Sequence, residues 1–179
     1  MSDAAQQTIL QPAEDAPALP PRRLEIWLSV AIVAIDQLSK AMVRATLPLH
    51  DSRTILPGLV DFTHVRNTGA AFGFLNAVDF PFKTVVLALI ATAALIGVGM
   101  YAASLAHHQL IARVGLALII GGAAGNLLDR VIAGSVVDFV DVYWRNWHFW
   151  AFNVADSAIT IGVAIMILDM LGVDKRRRA

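Results

Sequence analysis

Of the chain's 179 residues, 57% are hydrophobic and 16% charged, with a formal net charge of zero, whereas soluble domains average about 45–50% apolar and about 25% charged. The imbalance points to an integral membrane protein, and the neutral balance gives a nucleic-acid partner no compositional support. With no cysteine there can be no disulfide, thiolate metal site or cysteine nucleophile, and the five histidines form no H-E-x-x-H, which argues against a zinc enzyme.

Residues 1–21 are rich in Ala, Pro, Gln and acid without an apolar period, so a disordered tail is expected. Arg22 and Arg23 then precede an apolar stretch, Leu24 to Thr46, that is too long for a cleaved signal and reads as an uncleaved first span. Crossing a bilayer takes about 20 mostly apolar residues, and three further windows qualify: Val85–Ala103, Ala112–Val131 and Phe152–Leu171. Between the first two, "GLVDFTHV" reads as a strand. "NTGAAFGFLNAVDF" follows, where Asn67 or Thr68 can cap a short interfacial helix carrying Phe72, Phe74 and Leu75. The second span is uncharged. Its Gly97 and Gly99, with Gly121, Gly122 and Gly125 of the third, are expected to let helices approach closely. A short loop with His107 and His108 joins them. After the third span, "SVVDFVDVYW" alternates as a strand with Asp138, Val140 and Val142 on one face. Tyr143, Trp144, Trp147, Phe149 and Trp150 then resemble an interfacial aromatic belt, with anchoring their simplest role. One domain over 22–172, with a basic tail at 173–179, is the expected organisation.

Lys and Arg set the orientation. Arg22, Arg23, Arg113, Lys175, Arg176, Arg177 and Arg178 gather on one side; Arg53, Arg66, Lys83 and Arg145 face the other. Both termini are therefore expected in the cytoplasm, with loops 47–84 and 132–151 outside. In that topology Asp36 and Lys40 of span one, Asn126, Asp129 and Arg130 of span three, Asn153 and Asp156 of span four, and Asp138 of the outer loop reach one depth near the outer leaflet.

Ionisable groups inside a membrane are costly and tend to be paired or functional. If Asp138 and Asp156 approach closely they cannot both ionise, and a pair sharing one proton can perform general acid–base hydrolysis. Nearby amides and Arg130 could hold a substrate and its developing oxyanion. Each residue also has a plainer reading. Asp36 and Lys40 suit an i,i+4 ion pair, Arg130 can snorkel beside Asp129, Asn67 and Gly69 can form a turn, and Asp156 can pair with Arg130 or Lys40. A proton-coupled transporter, a lipid-binding scaffold and another intramembrane protease class all remain open on these grounds.

Five motifs occur in order: "DQLSK" (36–40), "NTGAAFG" (67–73), "GNLLDR" (125–130), "VVDF" (136–139) and "FNVADS" (152–157). Together they resemble the bacterial lipoprotein signal peptidase (signal peptidase II) family over residues 24–172. That resemblance implies an all-α membrane protein of four transmembrane helices with a small extracytoplasmic β-cradle and a short mobile helix over the site. It implies an aspartic endopeptidase of the inner membrane, blocked by globomycin, that removes the signal peptide from diacylglyceryl-modified prolipoproteins just before the lipidated cysteine. By motif, Asp138 and Asp156 would be catalytic; Asn67, Gly69, Asn126, Arg130 and Asn153 would bind substrate; Asp36, Lys40 and Asp129 would support them. No metal or other cofactor is implied. The expected partners are prolipoprotein substrates and membrane lipid, with the chain a monomer.

Overall fold

A computed structural model describes residues 23–69 and 80–172. Four α-helices and four strands follow in the order α1 (Arg23–Thr46), β1 (Ser52–Leu56), β2 (Val60–Asn67), α2 (Lys83–Ser104), α3 (Leu110–Ala133), β3 (Val136–Trp144), β4 (Trp147–His148) and α4 (Val154–Met170). Three helices, α1, α2 and α3, are long and apolar enough to cross a membrane. The fourth apolar helix has 17 residues, about 26 Å at 1.5 Å per residue, and is shorter than the window Phe152–Leu171. It starts late because Phe152 pairs with Val140 in an isolated bridge and Asn153 caps the helix from outside. The expected short helix after Asn67 falls on residues 70–79 and, like both tails, lies outside the described residues.

Helix α3 is the hub. Gly115 faces Gly162 of α4, Gly122 faces the Ala155 carbonyl, and Gly121 lies against Ser29 of α1, so three backbones approach where a Cβ would not fit. Ser29 Oγ adds a hydrogen bond to the Ala117 carbonyl at 2.8 Å. Gly97 and Gly99 of α2 differ from expectation: nothing lies within 4 Å of a Cβ built on either. Among the described residues their smallness serves no helix contact. The helices otherwise turn large apolar side chains outward, Leu38 at 71% and Ile132 at 78% exposed among them, an arrangement that only an apolar solvent makes favourable.

The strands form one antiparallel sheet in the order β1-β2-β3-β4. Val65 pairs with Asp138, Arg66 with Val137 and Asn67 with Val136. Val137 and Phe139 pack with Val43 of α1, which leaves Asp138 on the opposite face. The alternation does not run on to Val140 and Val142 as expected. The N–H groups of Phe139 and Val140 both donate to the Phe152 carbonyl, at 3.0 and 2.9 Å, a bulge that resets the facing of the strand. Val140 packs against the Val43–Val137–Phe139 cluster instead of sharing the face of Asp138.

Candidate active site

A cavity of about 880 Å³ lies over α3 between α2 and α4. Ala91, Ala94, Ala123, Ile159 and Ile161 make its apolar wall; Asn67, Asn126, Arg130, Asp138 and Asp156 gather at its polar end. Those polar groups are held from behind by α1. Lys40, fully buried, places Nζ 2.8 Å from Asp36 Oδ2 and 2.9 Å from both Asp129 Oδ2 and Asn126 Oδ1. The other Asp36 oxygen accepts the Ala155 N–H at 3.0 Å, tying the first turn of α4 to the ion-pair cluster.

Donor-only groups then fix three side-chain amides. An ammonium can only donate, so Asn126 must turn its oxygen to Lys40 and its NH₂ to Asp156 Oδ1, at 2.8 Å. The backbone N–H of Asp156 occupies Asn153 Oδ1 at 3.0 Å, so Asn153 Nδ2 faces Asp138 Oδ1 at 2.7 Å. The Gly69 N–H occupies Asn67 Oδ1 at 2.9 Å, so Asn67 Nδ2 faces Asp138 Oδ2 at 3.0 Å. Asn153 Nδ2 also reaches Asn126 Oδ1 at 3.3 Å. The two carboxyls are therefore joined by a chain of two carboxamides, and among the described residues no direct hydrogen bond links them. Both residues line the cavity.

Burial pushes the Asp138 carboxyl up to about 7, and the negative charge of Asp156 adds to the rise. The Asn67 and Asn153 donors and the Lys40 charge oppose it without cancelling it. The pair thus meets the physical condition for holding one proton near neutrality, through a low-dielectric wall and mutual repulsion.

Every candidate residue falls in or directly behind this cluster, and several plainer readings yield. Asp156 makes no ion pair with Arg130 or Lys40 within 4 Å; Lys40 reaches it only through Asn126. Arg130 does not merely snorkel, because Nη2 donates to the Gly69 carbonyl at 2.9 Å and Nη1 to that of Asn126 at 3.2 Å. Asn67 ends a strand rather than starting a helix, and its turn with Gly69 also orients its amide. Asp36 and Lys40 do form the i,i+4 pair. Phe149 and Trp150 line the cavity, which exceeds a purely anchoring role. Among the described residues no group of three or more His, Cys, Asp or Glu side chains is placed to hold a metal ion.

Known proteins resemble this chain in sequence and in fold. A family model described as signal peptidase (SPase) II matches residues 28–172. The chain belongs to the signal peptidase II family. A lipoprotein signal peptidase of Geobacter metallireducens is 46% identical over 158 residues, covering 87% of this chain and 94% of the relative. One from Pseudomonas aeruginosa strain PAO1 is 40% identical over 155 residues, covering 86% and 91%. A bacterial membrane enzyme solved by the in meso method at 2.3 Å resolution superposes with a TM-score of 0.75 at 34% identity, covering 84% of this chain and 88% of its own. As a signal peptidase II the protein is a protease of a bacterial membrane.

Two features of this signal peptidase II escaped the sequence reading. Gln37 Nε2 spans the Gly125 carbonyl at 3.1 Å and Asp36 Oδ2 at 3.2 Å; its place inside "DQLSK" was the available signal, one residue off the Asp36–Lys40 stripe. Ala91 and Ala94 shape the apolar wall, and alanine in an apolar helix carries no mark of that.

Proposed function

We propose that this protein removes the signal peptide from diacylglyceryl-modified prolipoproteins, cutting just before the lipidated cysteine, with Asp138 and Asp156 as the catalytic pair. The observation that carries the reading is the set of donor-locked amides holding both carboxyls on one wall of an otherwise apolar cavity. The ionised member takes a proton from water as the oxygen attacks the scissile carbonyl. The protonated member gives its proton to the developing oxyanion. On collapse of the tetrahedral intermediate the C–N bond breaks, the leaving amine takes the proton that the first carboxylate drew from water, and the hydroxyl that becomes the new carbonyl returns its proton to the second. Arg130 and the NH₂ groups of Asn67 and Asn126 would orient the substrate amide. Asp36, Lys40 and Asp129 hold Asn126 and the start of α4.

In the same proposal α4 completes a four-helix inner-membrane domain, both termini are cytoplasmic, and the site meets the outer leaflet. The two acyl chains of the substrate would anchor it at that depth at about 0.8 kcal/mol per buried CH₂, leaving the polar groups to align a single amide. A proton-coupled transporter would need polar side chains through the full depth. Among the described residues the opposite end holds chiefly the Glu25–Arg113 pair, with Arg113 also on the His107 carbonyl.

Gel-shift cleavage of a diacylglyceryl prolipoprotein by wild type, Asp138→Asn and Asp156→Asn tests the assignment. Asn keeps the shape and removes the acid. Each variant should lose about 10²- to 10⁴-fold in rate, the usual worth of a positioned acid or base. Near wild-type cleavage by either one, with its fold intact, makes that residue structural.

A further inference from the structure

The sheet leaves one backbone edge open beside the catalytic pair. In an antiparallel ladder, successive residues turn their N–H and C=O groups to alternate sides. On β2, the His64 N–H donates to the Asp51 carbonyl at 3.0 Å, and its carbonyl accepts the His50 N–H at 2.8 Å. His64 therefore faces away from β3. Two residues on, Arg66 must do the same. Its cross-strand neighbour Val137 agrees, because the Val137 N–H goes to Asp129 and its carbonyl to Asn153 Nδ2 rather than to β2. The β1 strand begins at Ser52, opposite Thr63, the bonds from the residues before it end at His64, and among the described residues no backbone hydrogen bond reaches Arg66 on that side; Arg66 is exposed. The next residue, Asn67, holds Asp138.

We infer that this Arg66 edge pairs with the extended substrate chain on the mature side of the scissile bond. The inference rests on the proposed function and adds a docking site to it. The occupant follows from placement. The apolar wall between α2 and α4 suits the hydrophobic signal segment, so the chain beyond the cut has to leave over the sheet. Strand β2 runs towards the cavity, and an outgoing chain is antiparallel to it, the orientation an exposed edge takes up with full hydrogen bonds. Asp138 lies one strand in from β2, so a chain added outside β2 stands roughly 10 Å away at about 4.8 Å per strand. That span is about three extended residues. The paired position should therefore lie about three residues past the cut. Main-chain pairing ignores side-chain identity, as suits an enzyme acting on diverse mature sequences.

The test uses full-length protein in detergent–lipid micelles and a synthetic diacylglyceryl prolipopeptide, N-methylated in turn at each of the first four residues after the lipidated cysteine. One position is expected to lower kcat/KM by about five- to tenfold more than its neighbours, the worth of a single hydrogen bond. Arg66→Pro removes the edge N–H where a strand tolerates proline, and should fall by a similar factor below Arg66→Ala, which keeps it. Uniform N-methyl effects overturn the pairing. So do equal rates for the two variants when both remain folded; should Arg66→Pro unfold, the wild-type N-methyl series decides alone. Failure of wild type to cleave the unmethylated peptide would instead strike at the proposed function itself.

Discussion

At Asp138 the burial that suits a carboxyl to hold a proton near neutral pH also burdens the fold. Its folded value stands at about 7 against an ordinary 3.8, so between those two values the native state binds more protons than the unfolded chain. Stability from this group is therefore present in full below about pH 4 and is lost as pH rises through 7. Asp138→Asn, neutral at every pH, should melt above wild type at pH 8, and the gap should close as pH falls towards 4. Thermal scans in detergent at several pH values check the sign, and a gap that widens on acidification contradicts it. The same titration limits catalysis if the dyad works with one proton: wild-type kcat/KM should decline above about pH 7 as that proton leaves. The amides around Asp138 were legible in the sequence as residue types. Their orientation was not, because it comes from which donor occupies each oxygen, and those donors, the Lys40 ammonium and the N–H groups of Asp156 and Gly69, lie on three separate chain segments.

Between elements, the contact of α3 with α4 sets where Asp156 sits. A Cβ on Gly122 would overlap the Ala155 carbonyl and approach Ile159 Cγ1 at 2.8 Å, and α4 cannot yield without carrying its first turn, Asn153 and Asp156 included, away from Asn126. Overpacking of this kind costs about 1–3 kcal/mol. Gly122→Ala should therefore lower both the melting temperature and cleavage, whereas Gly97→Ala, with open space around it, should be neutral or stabilising by up to about 1 kcal/mol, the helix-propensity gain. Melting curves of the two variants side by side, with a cleavage assay on each, make the comparison; equal effects would mean that this contact does not hold the site. Hydropathy located α1, α2 and α3 to within a few residues, because burial in lipid writes itself into every turn of a helix. It could not say which glycines meet a partner, since Gly97 and Gly122 look alike in a sequence. Nor did it find β1, whose five residues are all exposed and carry no alternation, or the bulge at Phe139, which depends on a carbonyl thirteen residues away.

At the scale of the molecule, the polar side chains of the described residues crowd one end of the helices. The ion pairs of Lys40 with Asp36 and Asp129 belong to the cavity end, and among the described residues only the Glu25–Arg113 pair lies at the other. That asymmetry has a physical meaning in the proposed orientation. Desolvated charge is tolerated where the sheet, an aqueous boundary and the amide network share its cost, and an enzyme whose substrate is anchored in the outer leaflet needs polar chemistry at that depth alone. The orientation can be tested cleanly because the chain has no cysteine, so a single introduced thiol reports without background. Arg53, on β1, and His108, between α2 and α3, are both exposed. In right-side-out membranes a membrane-impermeant maleimide should label Arg53→Cys at once and His108→Cys only after the bilayer is opened, with both variants retaining cleavage. The reverse pattern would put the proposed catalytic pair at the cytoplasmic face, where a substrate held in the outer leaflet could not reach it, and the topology and the proposed substrate would fall together.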